Sequence, residues 1–359
     1  MRNKKEIDAQ IQKKLDKFRK AFPNADEINY KNLDSKHDHI LKRLKLEGGL
    51  NSINLSNLRN WSMQNDMGIS RVSKIKLPAF FDKMNSIVSF LYSSFFEKFF
   101  RKSFYDSLKD DLEILKLIES YDILTDNPVA KTPGETQWFS DGNTTYNLRW
   151  LRYTYFFGRI RKENLLTENS TWVDIGSFYG GLQSVAYKYF PNVKYVMVDF
   201  HHQLFRSYLF LSELYPNANH LFGFKETLGA PDGSFCYIPT DEFQKIDSLN
   251  CELVSNFFSF GEMRRESFIE YQGSNLIANA KKTYNVNRIV SAPFFDPTYD
   301  TDLTVYDYNF KNQKIVYFDI FPIHHFQSVK RELFGIKRPR NISSSYFEMI
   351  TENIKNTSI

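Results

Sequence analysis

Apolar residues fall at two different periods along this chain, and the change between them divides it. In the first segment Ile7, Ile11, Leu15, Phe18 and Phe22 recur every three or four positions with Lys, Asp and Arg between them. That spacing predicts an amphipathic helix, which must stop before Pro23. Such a stripe needs a domain surface or a second protomer to cover it. Between Leu77 and Ile123 the chain is rich in Phe and Leu with scattered Lys and Asp, which again predicts helices packed on one another. Residues 1–129 therefore read as a helical N-terminal region, acting as a cap or in oligomerisation. The stretch TDNPVAKTPGETQWFSDGN is dense in Pro, Gly, Asp and Thr and reads as a long loop at the domain boundary.

After a helix predicted over Tyr146–Lys162, the pattern changes to TWVDI, KYVMV, FCYI, CELVS and NRIVS, short β-branched runs separated by helical stretches. This alternation predicts an α/β fold with a doubly wound parallel sheet over residues 130–359. LTVYDYNF and KIVYFDIF flank the polar KNQ and predict a C-terminal antiparallel hairpin added to that sheet. The remainder is expected to end as a short helix and a polar tail.

Composition narrows the class without naming it. With 42% hydrophobic and 25% charged residues the chain buries a core, so disorder is excluded. No charge-free run approaches the ~20 apolar residues of a membrane-spanning helix. The charged N-terminus MRNKKEIDAQ points to an intracellular, cytoplasmic protein. The net charge of +5 is confined to residues 1–47, which speaks for a solvated face and against a nucleic-acid partner. Cys236 and Cys251 lack the partners of a zinc site and read as small buried residues.

The chemistry concentrates in TWVDIGSFYGGLQSVAYKYF, where a strand enters a glycine loop that opens a helix. In an open α/β sheet, nucleotide-like ligands sit at that turn. Twenty-five residues past Asp174 the second strand ends in Asp199, placed to accept from two ribose hydroxyls. A dinucleotide loop GxGxxG needs bare backbone at its second glycine, but Phe178 stands there. Asp174 would repel a pyrophosphate and suits an ammonium, which points to a phosphate-free nucleoside with an amino-acid tail, S-adenosylmethionine. A nicotinamide-dependent oxidoreductase is disfavoured further because Tyr284 is followed four residues on by Arg288 and not by Lys.

Three stretches resemble the class I S-adenosylmethionine-dependent methyltransferases, and more narrowly the sugar O-methyltransferase family of surface-polysaccharide synthesis. DIGSFYGG is similar to an acid-x-G-x-G-Y-G-G loop, departing from it at Phe178; VMVDF matches the second-strand acid; LVSNFFSFGEM matches Asn-x-x-Ser-Phe-Gly-Glu-Met. The resemblance implies a Rossmann-like methyltransferase sheet. It places Asp174, Gly176, Ser177, Gly180, Asp199, Ile238, Pro239, Thr240 and Asn256 at the cofactor, and Ser259 and Arg264 at the substrate. Transfer to a sugar hydroxyl needs a base to take the proton. Glu262 is the first candidate, and His324 and His325 come second; His201 and His202 suit the adenosine side.

The expected function is methyl transfer from S-adenosylmethionine, leaving S-adenosylhomocysteine, to a hydroxyl of a nucleotide sugar or surface glycan. Transfer to a phosphate-derived or amine group of a glycan, or noncatalytic nucleoside binding, stays open at this level, as does a homo-oligomer. A divalent metal is not indicated, since Asp296, Asp300 and Asp302 in FFDPTYDTD match turn chemistry better than a ligand set.

Overall fold

The computed structural model describes residues 4–26, 48–55, 58, 108–109, 111–134, 138–142, 144–291, 303–323, 331–333, 336–338 and 346–356. In chain order the elements are α1 (Lys4–Ala21), α2 (Tyr121–Asp126), β1 (Phe139–Asp141), β2 (Thr144–Tyr146), α3 (Leu148–Lys162), β3 (Thr171–Ile175), α4 (Gly181–Tyr187), β4 (Lys194–Asp199), α5 (His201–Leu214) and β5 (Asn219–Phe222). There follow α6 (Gly223–Leu228), β6 (Ser234–Pro239), β7 (Leu253–Phe257), α7 (Arg265–Gln272), α8 (Asn275–Asn279), β8 (Lys282–Arg288), β9 (Gln313–Ile320), β10 (Arg331–Leu333), β11 (Ile336–Arg338) and β12 (Tyr346–Asn353).

The chain forms two compact units, one of residues 1–55, 159–321 and 341–359, the other of residues 56–158 and 322–340. The first holds an eight-stranded sheet in the order β5-β6-β4-β3-β7-β8-β12-β9. Strands β3 to β8 run parallel, whereas β12 is antiparallel to both β8 and β9. This is the doubly wound, Rossmann-like arrangement with an antiparallel C-terminal pair. From β3 the chain steps outward to β4 and on to β5 at the edge, comes back to place β6 between them, and then crosses to lay β7 on the other side of β3. The reversal places a crevice at the carboxyl ends of β3 and β7, the position where such sheets bind ligands. Burial of Val173, Ile175, Val196, Val198, Ile238 and Val254 on one face, and of Trp172, Tyr195, Met197, Tyr237 and Leu253 on the other, makes the central strands apolar on both faces, as a covered parallel sheet requires.

Helix α1 has the predicted stripe, with Leu15 and Phe18 buried. Phe18 lies 5.2 Å from Phe205 of α5 and 5.8 Å from Phe222 of β5, so the stripe is covered within its own chain by α5 and the sheet edge. Full burial of a Phe is worth about 2 kcal/mol. The second unit includes the β1–β2 hairpin, whose first strand lies inside the stretch read as a loop, and Trp150, whose indole N–H donates to the Asn127 carbonyl at 2.5 Å. Residues 77–107 of the predicted helical region lie outside the described residues.

The hairpin expectation is corrected in its residues. LTVYDYNF is not a strand: Asp307 accepts from both the backbone N–H (2.8 Å) and the hydroxyl (3.2 Å) of Thr304, a capping box that bends the chain into a short 3-10 turn. The partner of β9 is β12, drawn from the residues expected to be a helix and tail. NRIVS also shifts, because the last parallel strand is Lys282–Arg288, whose Thr283, Asn285 and Asn287 are buried but polar. Polar residues in a core strand hide it from a hydrophobic pattern. Both cysteines are buried as expected, and burial pushes each thiol up to about 12. No helix among the described residues is long and apolar enough to cross a membrane.

Candidate functional site

The site begins where β3 runs out. Asp174 is buried, accepting from the Ser255 hydroxyl on β7 at 2.6 Å and from the Gln183 amide on α4 at 2.5 Å. Ser255 in turn accepts from the Trp172 indole at 2.7 Å, so one hydrogen-bonded chain ties β3 to β7. Burial raises the Asp174 carboxyl to about 7 against the pull of those two donors. Sequence reasoning did not find Gln183, although its place in the helix that leaves the loop is a signal that it can turn back onto the strand end.

The glycine loop is left-handed at every second residue: Gly176 at φ 80°, Phe178 at 55° and Gly180 at 78°. At Gly176 a Cβ would collide with the side chain of Ser259, and at Gly180 it would stand 2.8 Å from Leu211. Glycine is required at both by the approach of neighbouring elements. Phe178 has no such freedom, and a non-glycine residue held there costs about 1–2 kcal/mol. Its two backbone groups are gripped. The Phe178 N–H donates to Asp199 at 2.8 Å, and its carbonyl accepts from the Ser207 hydroxyl at 2.6 Å.

Asp199 closes β4 and also accepts from the Phe200 N–H at 2.7 Å. Each carboxylate oxygen therefore holds one backbone donor and keeps an acceptor position for another. Burial raises this carboxyl to about 7, with the backbone donors and Arg206 working downward and the charge of Asp174 upward. Register pairs Val198 with Ile238 and Asp199 with Pro239, so Thr240 follows directly beside the Asp199 end of the sheet. His202 is buried against Phe200, whereas His201 packs 5.3 Å from Phe22, just past α1, and has its pKa lowered by burial, against Asp241 and Glu242.

Across the crevice, Asn256 stands at the end of β7 with its capacity used. Its amide donates to the Ile175 carbonyl (2.7 Å) and to Ser259, and its oxygen accepts from the Phe260 N–H (2.9 Å) and the Asn287 amide (3.0 Å). The Asn287 oxygen accepts from the Gly261 N–H at 3.0 Å. Asn287, which sequence reasoning also missed, thus joins β8 to the turn after β7. Phe258 in that turn is a second left-handed non-glycine residue, at φ 71°. Glu262 ends the turn with its side chain 40% exposed and 3.9 Å from Arg288 Nη2. Arg265 pairs instead with Asp307, and Arg264 caps α7 by accepting the Phe268 N–H at its carbonyl.

Of the expected site residues, the structure gathers Asp174, Gly176, Ser177, Gly180, Asp199, Ile238, Pro239, Thr240, Asn256 and Ser259 at the carboxyl ends of β3, β4, β6 and β7. Glu262 and Arg264 lie on the turn leaving β7. His324, His325, Asp296, Asp300 and Asp302 lie outside the described residues. Among the described residues no three His, Cys, Asp or Glu side chains form a metal cluster. Ser177 Oγ and Gln183 Oε1 are buried without a hydrogen-bond partner among the described residues, two polar atoms that a ligand in the crevice can satisfy.

No protein-family model matches this chain. No curated protein matches it either. Among solved structures, a small RNA methyltransferase is 15% identical with a TM-score of 0.37, covering 62% of this chain and 27% of that one. A protein of Thermoplasma acidophilum is 11% identical with a TM-score of 0.36, covering 57% and 89%. A magnesium protoporphyrin IX methyltransferase of Synechocystis, solved with bound S-adenosylmethionine, is 10% identical with a TM-score of 0.30, covering 54% and 74%. Likenesses this distant transfer no activity, and function has to be read from the sheet and the site.

Proposed function

We propose that this protein is an S-adenosylmethionine-dependent methyltransferase. The observation that carries the reading is a pair of buried acids, Asp174 and Asp199, at the ends of adjacent parallel strands. Between them runs a glycine loop whose centre is filled by Phe178. Asp199 has acceptor positions free for two ribose hydroxyls. The loop, with an acid beneath it and a ring upon it, suits an ammonium-bearing nucleoside better than a diphosphate. Ile238, Pro239 and Thr240 stand where they can border adenine, and Ser177 offers its unpartnered hydroxyl.

S-adenosylmethionine, when bound, supplies an electrophilic sulfonium methyl group. The chain's own residues must orient the acceptor and remove its proton. Glu262, on the turn after β7, is assigned the base. Arg288 Nη2 lies 3.9 Å from its carboxylate. Ser259 and Arg264 flank the acceptor's approach. The acceptor is assigned as a sugar hydroxyl of a nucleotide sugar or glycan, on the strength of Asn256-x-x-Ser259-Phe260-Gly261-Glu262-Met263 and its resemblance to the sugar O-methyltransferases.

Calorimetry with S-adenosylhomocysteine and with NAD tests the first part. Tighter binding of NAD overturns it. Incubation with methyl-labelled S-adenosylmethionine and a panel of nucleotide sugars, glycans and RNAs, read by mass spectrometry, tests the second; label on RNA alone overturns the sugar assignment.

A further inference from the structure

Phe178 sits in a conformation that glycine would adopt freely. It is left-handed at φ 55°, between left-handed Gly176 and Gly180. The hydrogen bonds that hold it, to Asp199 and from Ser207, are made by its backbone N–H and carbonyl. A glycine would make both without strain, so everything phenylalanine adds is its ring. That ring is half-buried, 5.1 Å from the ring of Tyr179, on the loop whose N–H touches the Asp199 carboxylate. A loop that seats a diphosphate needs bare backbone here, because phosphate oxygens must reach its N–H groups.

We propose that Phe178 is the specificity-determining residue of the crevice: its ring covers the ligand side of the loop, closing it to diphosphates and forming an apolar wall for the thioether portion of a sulfur-bearing nucleoside. This rests on the nucleoside-site reading above. The strain is retained because the wall sorts ligands that share an adenosine.

The test uses the full chain with Phe178→Gly and Phe178→Asn, residues that tolerate a left-handed backbone while removing the ring. S-adenosylhomocysteine affinity is measured by calorimetry, and ADP is titrated as competitor. Both ligands carry adenosine, so general damage to that pocket cancels in the ratio of their affinities. The expected result is a fall of at least tenfold in the preference for S-adenosylhomocysteine over ADP in both variants, with melting temperature unchanged or higher. A preference that changes less, or ADP that fails to compete in the variants, overturns the proposal. So does a fall in melting temperature that accompanies the loss, since the ring would then be a packing residue. Wild-type protein that does not bind S-adenosylhomocysteine overturns the nucleoside reading itself, before either variant is made.

Discussion

The turns after β3 and β7 lie side by side and treat their polar groups in opposite ways. On the β3 side, Asp199 and Ser177 are buried with acceptor or donor positions left over, and two carboxyls sit near pH 7 because burial outweighs their hydrogen bonds. On the β7 side, Asn256 has both amide hydrogens and both carbonyl lone pairs committed to Ile175, Ser259, Phe260 and Asn287. The first turn is built with polar groups awaiting a partner, and the second is a staple that closes on itself. The contrast separates residues that can meet a ligand from residues that hold the others in place.

The hardest test of the contrast is Glu262→Gln. The side chain is half-exposed on the outer end of the staple, so the substitution should leave melting temperature within a degree or so. Methyl transfer should slow roughly 100-fold to 10,000-fold if it is the base. Native turnover in this variant would move the role to His324 or His325.

Asn256→Ala attacks the staple directly. It strands the Phe260 N–H and the Asn287 amide in a buried site, where each unpaired group costs about 1–3 kcal/mol, so a loss of roughly 3 kcal/mol in urea unfolding is expected. If stability holds while S-adenosylhomocysteine affinity falls, Asn256 is a ligand contact and the contrast fails.

On the opposite turn, Asp199→Ala removes the proposed acceptor of two ribose hydrogen bonds, each worth about 1.5–3 kcal/mol. The dissociation constant for S-adenosylhomocysteine should rise at least tenfold. An unchanged constant would mean that the end of β4 is not at the ribose.

The smallest effect expected is in pH dependence. Asp174 and Asp199 are raised from 3.8 to about 7, so the folded protein holds protons that the unfolded chain has released between those values. The stability they contribute is complete below about pH 4 and is lost as pH rises through about 7. Ligand-free protein should therefore melt lower at pH 8 than at pH 5, and Asp174→Asn should flatten that slope. Ligand affinity should run the other way if ribose hydroxyls donate to the ionised Asp199, as proposed. A melting temperature that rises from pH 5 to pH 8 would show that the two carboxyls are ionised throughout.

How much of this was legible in the sequence depended on whether the pattern was local. The stripe of Ile7 to Phe22 fixed α1 because helical period is a local property, and TWVDI and KYVMV declared themselves because strands covered on both faces are apolar throughout. The strand β8 was misplaced because Thr283, Asn285 and Asn287 are polar, and only their cross-strand partners make them core residues. Thr304 and Asp307 turned a strand-like run into a cap through hydrogen bonds that hydropathy does not register. The site divides along the same line. The acids at 174 and 199, the glycines at 176 and 180 and the ring at 178 were visible as residue types at a spacing, and the sequence alone determined that two acids end consecutive strands around a glycine loop. Tertiary structure decided which polar groups remain available: Gln183 reaches Asp174 only as α4 turns back onto the strand end, and Ser255 reaches Asp174, and Asn287 reaches Asn256, only after the sheet brings together strands separated by tens of residues. Hydrogen-bonding capacity is exhausted or left open by partners distant in the chain, and no local pattern can encode that.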